Sequence, residues 1–111
     1  MSYDPRQPIV VIMTAANAEE AERIAEALVG ARLAACVQIL PEIHSVYRWK
    51  DEVARDTEVL LLAKTARAKF DKLEQAVRAI HSYETPEIIA LDVTSTSEPY
   101  LNWLLSEVQS E

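Results

Sequence analysis

The rhythm of apolar and polar positions divides this chain into seven elements. Ile9-Val10-Val11-Ile12-Met13 is an unbroken apolar run rich in β-branched residues, which predicts a strand buried on both faces. Asn17 with Glu20 three residues later forms a helix-capping pair, and Ala21, Ile24, Ala25, Leu28 and Val29 then recur at helical spacing. Glu19, Glu22, Arg23 and Glu26 take the opposite side, and Gly30 stands where a helix would end, so a helix is expected over about 17–31. Leu33 to Leu40 reads as a second strand, stopped or bent at Pro41. From Ile43 the pattern alternates: Ile43, Ser45, Tyr47 and Trp49 point one way, His44, Val46 and Arg48 the other. The chain turns around Lys50-Asp51-Glu52 and returns as a strand from Thr57 to Thr65, which makes a long antiparallel hairpin. Phe70, Leu73, Ala76, Val77 and Ile80 mark a second amphipathic helix over about 67–80. Ile88 to Val93 is a fourth strand. Ser97 as cap and Pro99 in the first turn open a last helix, with Leu101, Leu104, Leu105 and Val108 on one face.

The order is β-α-β-β-α-β with an appended C-terminal helix. Two split βαβ units joined by a hairpin predict an α+β, ferredoxin-like sandwich, an antiparallel sheet covered on one face by two helices. The 111 residues suit a single domain, with residues 1–8 as a loose tail. The second sheet face is left bare and apolar, and the hairpin is longer than a core of this size needs. Association through that face or through the hairpin is the expected solution.

Composition removes whole function classes. A single glycine, Gly30, excludes a Walker loop, a dinucleotide-binding turn and a nucleophile elbow, each of which needs two or more. The two histidines, His44 and His81, stand too far apart for HExxH, and one cysteine cannot make a zinc knuckle or an internal disulfide. The net charge of -7 repels phosphate backbones, so no nucleic-acid partner is expected. Without a signal core or a long apolar run, the chain reads as cytoplasmic, with no membrane partner. No nucleophile has a sequence-evident base, and the chain does not read as an enzyme.

Several stretches resemble the CutA family of divalent-cation tolerance proteins. They are Leu33-Ala34-Ala35-Cys36-Val37, Ser45-Val46-Tyr47-Arg48-Trp49-Lys50, Glu58-Val59 through Lys64-Thr65, Tyr83-Glu84-Thr85-Pro86-Glu87-Ile88, and Tyr100-Leu101-Asn102-Trp103-Leu104. The resemblance runs from about Ile9 to Val108. It implies a cytosolic homotrimer of ferredoxin-like subunits akin to the PII signalling proteins, with a role in tolerance of divalent cations, copper or similar. The chain departs from the family's copper-binding pattern at two of three ligand positions: Met13 stands where a cysteine is found, and Ile80 where the first of two histidines is found. His81 is retained.

Each candidate residue has a functional and a plain structural reading. His81 and Glu84, three apart in a loop, supply an imidazole and a carboxylate that could share a cation; the alternative is a hydrogen-bonded loop histidine. Cys36, between Ala35 and Val37, reads as a buried structural thiol. His44 reads as a solvated surface residue, and Glu19 to Glu26 as a solvated helix face. Tyr47 and Trp49 suit subunit packing or a pocket shared with it. Lys64 ends an apolar strand and either snorkels to solvent or meets a carboxylate or anion. Together Tyr47, Trp49, Lys64, Tyr83 and Glu84 are expected to line a cleft between subunits, suited to a small zwitterion or anion. The structural alternative is that Lys64 and Glu84 neutralise each other. Two function classes therefore stand: divalent-metal handling, and a PII-like module that binds a small molecule or docks a partner protein.

Overall fold

The computed structural model describes residues 4–109. Strand β1 (Pro8–Ala15), helix α1 (Ala18–Gly30), strands β2 (Cys36–Trp49) and β3 (Glu52–Ala66), helix α2 (Phe70–Ile80), strand β4 (Ile88–Asp92) and helix α3 (Glu98–Glu107) follow in order. A single 3-10 turn, Arg67–Lys69, leads into α2. Neighbouring strands are antiparallel in the order β2-β3-β1-β4. This is the α+β, ferredoxin-like arrangement expected from the element order.

Alternation along the two central strands builds the core. Ile9, Val11 and Met13 of β1 and Val59, Leu61 and Ala63 of β3 are buried together with Ala21, Ile24 and Leu28 of α1 and Leu73 and Val77 of α2. Each large side chain in this set contributes about 1.5–3 kcal/mol through burial. Asn17 caps α1, its Oδ1 accepting the Glu20 N–H at 2.9 Å. At the other end the reversal falls on Arg32, with φ 60, and not on Gly30, which occupies the last helical turn. Thr65, fully buried in β3, carries the one buried side-chain polar atom without a partner among the described residues.

The opposite sheet face is open. Cys36, Lys64, Val10 and Leu91 form one row across the four strands, and Gln38, Leu62, Ile12 and Ile89 the next. Ile89 and Leu91 are 49% and 51% exposed. Cys36 is accordingly half-buried and not a core thiol; its Sγ lies 3.5 Å from the Tyr100 hydroxyl. Tyr100 and Trp103 of α3 stand exposed beside it, their rings 5.4 Å apart. The other face of α3 packs Leu104 and Val108 onto Ala35 and Ala66.

The hairpin outruns the sheet. β1 pairs with β3 only from Val59 to Ala66, while β2 and β3 stay paired out to Trp49 and Glu52. Seven residues on each strand therefore project as a two-stranded ribbon about 23 Å long. They extend the subunit to 43 × 31 × 24 Å, and its radius of gyration of 14.6 Å exceeds the about 13 Å of a compact chain of this length. Lys50 and Asp51 turn the ribbon with φ of 50 and 67, two left-handed residues in the place where hairpins favour Asn-Gly. Pro41 does not end β2; it sits in a register shift between Leu40 and Ile43, tolerated because β2 is an edge strand.

Residues 1–3 of the expected tail lie outside the described residues, but the rest of it is tied down. Pro5 and Gln7 carbonyls accept the Ala68 and Arg67 N–H groups, and Gln7 Nε2 donates to the Val93 carbonyl at 2.9 Å. Among the described residues no helix is long and apolar enough to cross a membrane.

Candidate functional site

The loop between α2 and β4 meets the end of β1 and the base of the hairpin, and a buried carboxylate holds it there. Glu20 is 2% exposed although it belongs to the acidic run that reads as a solvated helix face. Its Oε1 accepts the Ala16 N–H at 3.0 Å and the Ser82 hydroxyl at 3.0 Å, and its Oε2 accepts the Ser82 N–H at 2.6 Å. Burial opposes the charge, but the bonds from Ala16 and Ser82 outweigh it and hold the Glu20 carboxyl below the ordinary glutamate range. One side chain thus joins the start of α1 to the loop.

His81 is the second anchor. Its ring is fully buried, with Nε2 2.7 Å from the Thr14 carbonyl and Nδ1 accepting the Tyr83 N–H at 3.0 Å. A carbonyl only accepts and a backbone N–H only donates, so the hydrogen bonds select the neutral ring protonated on Nε2. Glu20 Oε2 lies 3.7 Å from Nδ1, which is already engaged as an acceptor. Both nitrogens are therefore committed to backbone, and Glu84 lies in the exposed part of the loop. Among the described residues no three His, Cys, Asp or Glu side chains cluster as a metal site. In this geometry both ring nitrogens of His81 are engaged with backbone groups, and Glu84 is not among their partners.

Tyr83 is the third anchor. Its hydroxyl donates to Glu58 Oε2 at 2.7 Å, and its ring leans on His81 with centroids 4.7 Å apart. Burial first, then the Glu58 carboxylate, pushes the phenol well above its ordinary value, so it remains a donor. On the hairpin the Tyr47 hydroxyl donates to Asp56, a bond that likewise raises Tyr47.

These anchors shape a groove of about 760 Å³. Tyr47, Trp49, Tyr83 and Glu84 line it, as do Glu58, Glu87, Thr14 and the hairpin residues His44, Ser45 and Val46. His44 is thus exposed and also part of a concave wall. Lys64 is not in the groove. It lies six residues beyond Glu58 along β3, about 20 Å away, in the row with Cys36 and Val10, and donates to the Gln38 side chain. Glu84 is therefore not its partner within the subunit. The consequence is electrostatic: the groove wall carries three glutamates and no lysine or arginine. Within one subunit the lining is therefore acidic, with His44 as its one basic side chain. Sequence reasoning missed Glu20 and Glu58, the two buried carboxylates. The pairing of Glu20 with Asn17 was visible, but its burial follows from Ser82, sixty-two residues away.

Comparison with known proteins agrees with this architecture. The family profile described as CutA1 divalent ion tolerance protein matches residues 9–107. The divalent-cation tolerance protein CutA of Thermus thermophilus is 50% identical over 95 residues, covering 86% of this chain and 92% of that one. The chloroplastic protein CutA of Arabidopsis thaliana is 42% identical over 102 residues; this chain is covered to 92% but spans only 56% of that longer protein. Among solved structures, the Thermus thermophilus protein superposes with a TM-score of 0.88 at 47% identity, covering 90% of this chain and 97% of that one. CutA1 from a psychrotrophic Shewanella gives 0.91 at 37% identity, covering 97% and 100%. The profile spans nearly all of the described fold, including the hairpin and the loop that form the groove, and this chain belongs to the CutA family of divalent-cation tolerance proteins.

Proposed function

We propose that the chain works as a cytoplasmic homotrimer in the response to divalent cations, with the groove between hairpin and loop as its binding element. The observation that carries this reading is the charge of the groove: Glu58, Glu84 and Glu87 line it without a lysine or arginine. The family membership supplies the cation-tolerance context. Self-association is supported by the open apolar sheet face and by the ribbon, which has too few neighbours to be stable alone. Three copies rather than two or four is the family expectation.

The reading separates cation response from tight copper capture. A soft metal held tightly needs several inward-facing nitrogen or sulfur donors, and both nitrogens of His81 are hydrogen-bonded to backbone. Carboxylates around an open groove suit a hydrated ion held loosely, or an organic cation. The PII-like reading, a small molecule bound in a cleft and passed on to a partner protein, uses the same groove.

Calorimetric titration with Cu(II), Zn(II) and Cd(II) tests the proposal on wild type, Glu84→Gln and His81→Asn. The expected result is binding no tighter than tens of micromolar, weakened by Glu84→Gln and little altered by His81→Asn in the folded fraction. Submicromolar copper binding abolished by His81→Asn and untouched by Glu84→Gln would overturn it.

A further inference from the structure

Helix α1 ends in a hydrogen-bond pattern that ordinarily calls for glycine. The Arg32 N–H donates to the Val29 carbonyl at 3.1 Å and the Leu33 N–H to the Leu28 carbonyl at 2.9 Å. Leu33 also packs against the core that holds Leu28. This is the Schellman arrangement, whose left-handed position favours glycine because a Cβ is strained there. Arg32 occupies it with φ 60, while the single glycine, Gly30, stands two residues earlier inside the helix. An arginine at that position calls for a compensating contact.

The guanidinium makes one. Its Nη1 donates to the Glu107 carbonyl at 2.8 Å and lies 3.7 Å from Glu107 Oε1. Glu107 is the last residue of α3, where carbonyls lack intrahelical partners and the helix dipole is negative. The last turn of α3 holds no basic residue, and Ser97 at its start makes no side-chain capping bond. Arg32 supplies the positive charge from seventy-five residues away.

The apolar seat of α3 is small. Leu104 and Val108, with Leu105 beside them, pack on Ala35 and Ala66 in a cluster separate from the main core. A space of about 480 Å³ remains where Leu105 and Val108 face Pro5, Ala66 and Ala68. Tyr100 lays its hydroxyl 3.5 Å from Cys36 Sγ at the start of β2. Elements with few buried contacts open locally, at lower free energy than the whole fold.

We propose that α3 is a separately opening flap and that Arg32 is its latch. Opening uncovers Ala35, Cys36 and Ala66 at the end of the sheet remote from the ribbon, while α1, α2 and the central strands stay folded. The left-handed backbone at Arg32 is retained because the guanidinium closes the flap, a contact that glycine at this position could not make.

Hydrogen exchange followed by mass spectrometry tests this on the full-length protein at one protein concentration. Peptides covering α3 are compared with peptides covering α1, β1 and β3 in wild type, Arg32→Asn, Arg32→Gly, Arg32→Lys and Glu107→Gln. Asn and Gly accept left-handed backbone, so the end of α1 keeps its form in those two variants. The expected result is α3 exchange faster than that of β1 and β3 in wild type, and a further acceleration of about fivefold in Arg32→Asn and Arg32→Gly. Exchange across α1 should be unchanged or slower, and Arg32→Lys should recover part of the protection. Glu107→Gln leaves the carbonyl in place and should alter α3 exchange by less than about twofold. Unchanged α3 exchange in both Arg32→Asn and Arg32→Gly would overturn the latch. Acceleration shared equally by α1, β1 and β3 would overturn the separate flap, because it reports global opening. A Glu107→Gln effect as large as that of Arg32→Gly would overturn the role given to the carbonyl.

Discussion

On the helix side of the sheet, Ile24, Leu28, Leu61, Leu73 and Val77 are sealed by residues of the same chain, and the buried Glu20 carboxylate accepts three hydrogen bonds. On the other side, Ile89 and Leu91 stand half-exposed, and the buried Glu58 carboxylate has the Tyr83 hydroxyl as its one side-chain hydrogen bond among the described residues, while beyond the sheet the ribbon shows Val46 and Val53 to solvent. The difference is one of completion. Local helices close the first side during folding, whereas the second offers apolar area and negative charge that only something outside the subunit can cover. Packing that the subunit completes by itself is thereby confined to one face of the sheet.

That comparison breaks most visibly where the closed side is opened. Ile24→Ala removes a fully buried side chain from between helix and sheet, and the expected loss is about 3 kcal/mol, read as a lower urea midpoint. A loss below about 1 kcal/mol would mean that the helix side is not the tightly packed half. Glu20→Gln is the next smaller change. The amide keeps an acceptor but turns a donor toward the Ser82 N–H, for an expected cost of about 1–2 kcal/mol at neutral pH. The sign of its pH dependence is fixed: the folded carboxyl lies below its ordinary value of 4.5, so its contribution is present above that pH and is lost as pH falls through the lower folded value. Urea midpoints measured down through this window should fall less steeply for Glu20→Gln than for wild type. A steeper fall in the variant would reverse the assignment.

The closed side was also the legible one. Ile9 to Met13 and the spacing of Ala21, Ile24 and Leu28 declare their partners through periodicity, because burial by near neighbours writes a regular pattern. The acidic and aromatic residues of the groove declare less. Tyr47, Trp49, Tyr83 and Glu84 are recognisable as motif residues, yet Lys64, named with them, lies away from the groove, because β3 carries it six residues beyond Glu58. Glu58 sits beside Val59 in a sequence that gives no sign of its burial, since Tyr83 reaches it across twenty-five residues. Glu20 is hidden in the same way among exposed glutamates. Lys50 and Asp51 adopt left-handed backbone without the Asn-Gly signature, so the turn was approximately placed but its type was not.

The central claim is that the open side is completed by further copies of this chain. Light scattering behind a sizing column, at micromolar concentration, tests it most directly on wild type and Leu91→Lys. Leu91 is half-exposed on an edge strand, so a lysine there should alter the isolated fold by less than about 0.5 kcal/mol. The account predicts a wild-type mass three times the 12.5 kDa of the chain, falling toward the single-chain mass in Leu91→Lys with its circular dichroism preserved. A wild-type protein that runs as a 12.5 kDa monomer would contradict it.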